Sequence, residues 1–134
     1  MMNMKRKYIS VLAILVLLFM APTALHAQVN ADDYAISWRK FNRQSHRANA
    51  AILDVRTAEE YAQGHIPAAR NIDVLKDDFL QNISGLDKSK SYLVYCRSGK
   101  RSAKALQILK ENGFTRVKHL KGGFEAWKGP VDNH

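Results

Sequence analysis

The chain has 134 residues, with 21 Lys and Arg against 12 Asp and Glu, a formal net charge of +9, and a single cysteine. That length accommodates one ordinary domain. One thiol excludes an internal disulfide, CxxC redox chemistry and a cysteine-rich zinc site.

Lys5, Arg6 and Lys7 precede an apolar run from Ile9 to Ala21 broken only by Ser10, and "ALHAQ" follows Pro22 and Thr23. A positive patch, an apolar stretch and a small residue at the cut, in that order, read as a secretory signal. The run is about thirteen residues, short of the ~20 that a membrane-spanning helix needs. Cleavage after Ala27 is expected, with retention as an uncleaved anchor the alternative. Cleavage divides the chain into a signal peptide, residues 1–27, and a domain, residues 28–134, that is periplasmic or secreted. No cysteine follows the run, which argues against a lipid anchor, and no stable membrane span is expected after cleavage. The domain keeps 18 basic and all 12 acidic residues, a formal charge of 18 − 12 = +6. Nucleic acid would suit a basic surface, but an exported chain has little access to it. Most of the charge reads as a solvated surface.

Asn30 followed by Asp32 and Asp33 reads as a helix start. Tyr34, Trp38 and Phe41 recur at i, i+4 and i+7, which predicts one helix running to about His46. "AAILDV" (Ala50 to Val55) is an apolar run suited to a strand buried on both faces. Thr57 can cap a short helix with Glu59 and Glu60 in its first turn and Gly64 at its end. Pro67 marks an extended or turning segment before a brief strand at Asn71 and Ile72. Leu75, Phe79, Leu80 and Ile83 fall on one side of an amphipathic helix.

"SYLVYC" (Ser91 to Cys96) is a β-favouring run expected at the centre of a sheet. Ser102 to Asn112 carries a strong helix pattern, stopped by Gly113. Arg116 to Leu120 is a short strand. Gly122 and Gly123 turn the chain into "FEAWK", whose Phe124 and Trp127 dock on the core. Strands alternating with helices imply a single α/β domain with a parallel sheet covered on both faces.

The segment "YCRSGKRS" puts the only cysteine, Cys96, at the end of the central strand, where ligands of such sheets bind. The chain then turns through Arg97, Ser98, Gly99, Lys100 and Arg101 and enters a helix at about Ser102. Successive N–H groups in a tight loop form a nest for an anion, and the helix N-terminus adds its own unpaired N–H groups. The anion best placed to fill the nest is the Cys96 thiolate, because a helix terminus and neighbouring cations favour the ionised thiol. Cys96 is therefore expected to be an exposed, activated nucleophile. Arg97 and Lys100 are expected at the pocket mouth, where they attract an anionic substrate. Ser98 and Ser102 either donate hydroxyl hydrogen bonds to the sulfur or cap the turn. Asp54 and Arg56, in "LDVR", read as a bracing ion pair, since Arg cannot serve as a base. His65 reads as a hydrogen-bonded turn residue, and the five histidines show no metal-ligand spacing.

Four segments together resemble a rhodanese domain, the sulfurtransferase family. In order they are "LDVRTAEEYAQGHIPAARNI", "YCRSGKRSAKAL", "LKENGFTRVKHLKGG" and "GGFEAW". Ala68 stands where many relatives have glycine, and Lys100 where asparagine is common. The resemblance implies a rhodanese-like α/β fold, a five-stranded parallel sheet flanked by helices on both faces. It also implies sulfur transfer through a persulfide on Cys96, cradled by the N–H groups of Arg97 to Ser102. The donor would be thiosulfate or a persulfide and the acceptor a thiol or cyanide, with no metal or organic cofactor and a monomeric protein. Arg101 matches the family arginine and is expected to brace the loop against Asp54 or Glu60.

Two rivals remain at this level. A strand, cysteine, loop, arginine and helix also describe a phosphatase or arsenate reductase, but those resemble Cys-x5-Arg, whereas only four residues separate Cys96 from Arg101. The other rival is a non-catalytic rhodanese module that binds a partner or carries sulfur to it.

Overall fold

The structure is a computed structural model that describes residues 27–134. The expected signal peptide, save its last residue, lies outside the described residues.

Five parallel strands form one sheet in the order β1-β5-β4-β2-β3. They are β1 (Ala35–Ile36), β2 (Ala50–Asp54), β3 (Arg70–Asn71), β4 (Ser91–Tyr95) and β5 (Val117–Leu120). The helices are α1 (Trp38–Ser45), α2 (Ala58–Gln63), α3 (Phe79–Ser84) and α4 (Lys100–Glu111), with 3-10 turns at Ala31–Tyr34 and Phe124–Ala126. β4 lies between β5 and β2, and its residues from Tyr92 to Tyr95 are all buried. Period-two alternation divides them. Tyr92, Val94 and then Cys96 face the core that holds Leu106 and Leu109 of α4. Leu93 and Tyr95 face the opposite core, with Phe41 and Trp127. The side chain of the central thiol is thus committed to the α4 face by the pleat.

Two expected helices are corrected. The segment from Asn30 to His46 is not one helix: a 3-10 turn capped by Asn30 leads into β1, and α1 starts afresh with Ser37 accepting from the Lys40 N–H at 3.4 Å. Pairing of Ala35 and Ile36 with His119 and Leu120 satisfies the backbone on the sheet edge and breaks the helix. Tyr34 consequently packs on the α4 face, while Trp38 and Phe41 pack on the other, where both rings meet Trp127 edge-on. The Leu75–Ile83 helix shrinks to α3. Phe79 and Ile83 are buried as expected, but Leu75 and Leu80 are 58% and 55% exposed. The Asp73 side chain accepts from the Leu75 N–H at 2.9 Å and holds that segment in a turn.

Elsewhere boundaries move by one or two residues. The Thr57 cap is a full capping box: its hydroxyl accepts from the Glu60 N–H, and the Glu60 carboxylate accepts from the Thr57 N–H. Ala68 adopts φ 65°, the left-handed region that disfavours any Cβ. Ala68→Gly is therefore expected to raise stability by about 1 kcal/mol, net of the added freedom of the unfolded chain. Thermal unfolding checks this, and an unchanged or lower midpoint would contradict it.

Candidate active site

Cys96 is the first residue after β4, at the carboxyl end of the sheet. Its Sγ accepts from the Gly99 N–H at 3.1 Å and from the Ser102 N–H at 3.3 Å. Two amides, one at the N-cap of α4 and one in its first turn, therefore converge on the sulfur. The loop closes this tightly because Gly99 takes φ 107°, which side chains rarely adopt. The helix begins at Lys100, two residues earlier than expected. Cys96 is also only 1% exposed, which corrects the expectation of an exposed thiol: the sulfur sits at the floor of the cradle. Neighbours from the α4-side core wall it in.

The loop is held from behind by the last 3-10 turn. Phe124 N–H donates to the Cys96 carbonyl at 2.7 Å and Glu125 N–H to the Arg97 carbonyl at 3.0 Å. Gly123 makes this approach feasible, since a Cβ there would lie 2.4 Å from the Arg97 oxygen and 2.6 Å from the Cys96 oxygen. The sequence showed Gly123 only as a turn former. Its closeness to the loop depends on the sheet and leaves no local signal.

Arg101 braces the loop from the front. Its two terminal nitrogens donate to the two Glu60 oxygens at 2.7 and 2.8 Å, so of the two expected partners Glu60 is the one used. The Arg101 hydrogen bonds hold the Glu60 carboxyl down to about 2, from an ordinary 4.5, with burial opposing and Thr57 assisting. A depressed carboxyl contributes stability that is complete above its unfolded value and lost as pH falls through the folded one. The parent should thus lose this contribution between pH 4.5 and about 2. Glu60→Gln should show a flatter stability profile over that window in acid titrations followed by circular dichroism, and identical profiles would contradict the brace.

Asp54 and Arg56 form the expected pair, wholly inside the protein. Arg56 Nη2 donates to Asp54 Oδ2 at 2.7 Å and Nε reaches both oxygens at 3.0 and 3.1 Å; side-chain exposures are 5% and 0%. Burial works against the Arg56 charge, but the hydrogen bonds and charge of Asp54 outweigh it and raise its pKa. Arg56 also donates to the Gly64 carbonyl at 2.7 Å and lies over the Phe124 ring at 4.4 Å. Tyr95, read from sequence only as a strand residue, completes this network. Its hydroxyl donates to Asp54 Oδ2 at 2.6 Å and accepts from the Ile66 N–H at 3.0 Å. Burial, then the Asp54 charge, push its pKa up, so it stays a donor.

The remaining expectations divide. Arg97 lines a cavity of about 460 Å³ beside the loop, with Arg56, Glu60, Gly64, Phe124 and Glu125 among its other walls. Its charge is shared with Glu125 at 2.9 Å in an exposed pair. Lys100 is exposed and does not line this cavity, because the early helix start carries it away from the mouth. Ser98 is exposed and its hydroxyl makes no hydrogen bond to the sulfur. The Ser102 hydroxyl also turns from the sulfur, toward the Gly99 carbonyl at 3.0 Å and His119 Nδ1 at 2.9 Å. His65 is the turn residue expected: Nδ1 lies 3.0 Å from the Tyr61 carbonyl and the ring stacks on Tyr61.

Comparison with known proteins agrees with this arrangement. The family model of the rhodanese-like domain matches residues 37–130. An uncharacterized protein of Bacillus subtilis, YqhL, is 38% identical over 82 residues, 61% of this chain and 64% of its own length. The chloroplastic thiosulfate sulfurtransferase 16 of Arabidopsis thaliana is 41% identical over 90 residues, 60% of this chain and 75% of its own. A rhodanese-like domain protein from Staphylococcus aureus, known as a crystal structure, superposes with a TM-score of 0.66 at 31% identity, covering 75% of this chain and 97% of that one. By sequence, by its five-stranded parallel sheet and by the loop that closes around its only cysteine, this chain belongs to the rhodanese-like domain family.

Proposed function

We propose that this protein is a sulfurtransferase that passes a sulfane sulfur from thiosulfate or a persulfide donor to a thiophilic acceptor through a persulfide on Cys96. The observation that carries the proposal is the pair of N–H groups, from Gly99 and Ser102, aimed at the Cys96 sulfur. In the first step the thiolate attacks the outer sulfur of thiosulfate. The S–S bond of the donor breaks, its electron pair leaves with sulfite, and a new S–S bond leaves Cys96 as an anionic persulfide. Amides fixed in advance stabilise that charge without reorganising. In the second step cyanide or a thiol takes the outer sulfur, and the thiolate returns. Electrons balance without an outside oxidant, and the name borne by the Arabidopsis relative supports thiosulfate as a donor.

Two features favour this over phosphoryl chemistry. Both terminal nitrogens of Arg101 are engaged by Glu60, so the end-on fork that would clamp a phosphate is already taken. A sulfur with 1% exposure also suits a slim donor that offers a terminal atom better than a bulky ester. The same burial protects a lone thiol from bulky disulfides, consistent with export to an oxidising compartment by the N-terminal leader. Recovery of a periplasmic form beginning at Gln28 would test that export.

Initial rates measured against thiosulfate and cyanide should give parallel double-reciprocal lines, the ping-pong pattern of a covalent intermediate. Intersecting lines would reject it.

A further inference from the structure

His119 is a buried titratable side chain that the sulfur chemistry above leaves unused. It lies on β5 with 5% of its surface exposed. Its Nε2 is 2.9 Å from the Ala31 carbonyl and its Nδ1 is 2.9 Å from Ser102 Oγ. A carbonyl only accepts, so Nε2 carries a proton. Burial disfavours the charged ring more than the Ala31 carbonyl and Asp32 favour it, and the His119 pKa falls below the ordinary value. The neutral ring has no second proton, so Nδ1 is a bare acceptor.

Ser102 Oγ has one proton and two acceptors in reach, Nδ1 and the Gly99 oxygen at 3.0 Å. The Gly99 oxygen already accepts the Ala103 N–H at 3.1 Å. Nδ1 has no other donor among the described residues, and the hydroxyl proton therefore goes to His119. The line of bonds runs from Ala31 through His119 to the Ser102 hydroxyl, and the Ser102 N–H ends it on the Cys96 sulfur. Every group in it is specified by donor and acceptor counting.

We infer that His119 is a positioning residue for the sulfur-binding loop: anchored on the first 3-10 turn and accepting from Ser102, it fixes the residue whose N–H holds the Cys96 sulfur. The kinetic consequence rests on the persulfide reading above; the geometry does not.

Single-turnover sulfur loading from thiosulfate, followed by intact mass, tests the consequence in four variants. His119→Leu removes both ring bonds and should slow loading about tenfold, the worth of roughly one buried hydrogen bond. His119→Asn keeps an acceptor near the Nδ1 position and should recover to within about threefold of the parent. Ser102→Ala retains the N–H but removes the hydroxyl, and adding His119→Leu to it should bring no further loss. Equal losses from His119→Leu in both backgrounds, with no recovery by His119→Asn, would mean that the ring acts only by packing, and would overturn the inference. Imidazole ¹⁵N NMR of the parent gives a readout independent of sulfur: a protonated Nε2 and an accepting Nδ1 are expected. A protonated Nδ1 in the neutral ring overturns the inference. If no variant takes up sulfur, the persulfide reading fails, and the tautomer alone decides this one.

Discussion

Cys96→Ser is expected to reduce thiosulfate–cyanide turnover to background, a fall of more than about 10³-fold, while leaving the fold intact. The two effects separate for a structural reason. A serine hydroxyl is close to the thiol in size and can accept from the same Gly99 and Ser102 N–H groups. Neither amide is stranded, and the change in stability should stay within about 1 kcal/mol. Chemically the hydroxyl is inert here. It does not ionise near neutral pH and cannot carry a sulfur that a second nucleophile will remove. Assay and thermal unfolding on the same sample would show whether activity and stability part in this way. Residual turnover above a few per cent would mean that the cysteine is not the sulfur carrier.

The largest loss of stability is expected from Asp54→Asn. The substitution preserves shape but leaves the Arg56 guanidinium without its counter-ion at a site almost closed to water. Breaking a buried pair by removing one partner costs about 3–5 kcal/mol. For a domain of this size that lowers the unfolding midpoint by more than about 10 °C. The amide that replaces the carboxylate would also have to turn a donor toward either Arg56 or the Tyr95 hydroxyl, both of which now donate to Asp54. Replacing both charges at once, Asp54→Leu with Arg56→Met, should cost less than Asp54→Asn alone, because no unpaired charge remains. A single substitution that costs under about 1 kcal/mol would mean that Arg56 escapes to water when its partner is lost. Arg56 also touches the Gly64 carbonyl and the Phe124 ring, so this pair ties the end of β2 to the wall of the cavity.

What the sequence revealed follows from how local each interaction is. Cys96 and the amides that hold it lie within seven consecutive residues, and the anion nest could be read from Gly99 and the helix start. Asp54 and Arg56 are two positions apart, and their pairing was legible for the same reason. The Thr57 cap was visible with Glu60 in the first turn it starts, and the Glu60 carboxylate was one of two partners foreseen for Arg101. The Tyr95 hydroxyl, the His119 ring and the approach of Gly123 were not foreseen. Each acts through a partner brought near only when the strands assemble: Tyr95 bonds Asp54 across neighbouring strands, and His119 reaches Ala31 across the sheet edge. The N-terminal helix failed for a different reason. Tyr34, Trp38 and Phe41 match a helical period, yet two residues between them pair with β5, and Ser37 restarts the helix. Edge pairing overrode a pattern that was coincidental. Leu75 and Leu80 mislead similarly: Leu75 falls in the turn before α3, and Leu80 lies on the outward side of α3.

The account depends on Cys96 accepting a single sulfur and holding it within reach of two amides. Intact-protein mass spectrometry after exposure to thiosulfate measures this directly. The parent should gain the mass of one sulfur atom, lose it on addition of cyanide, and show no gain as Cys96→Ser. An unchanged parent mass, or the same gain in the serine variant, would contradict the account.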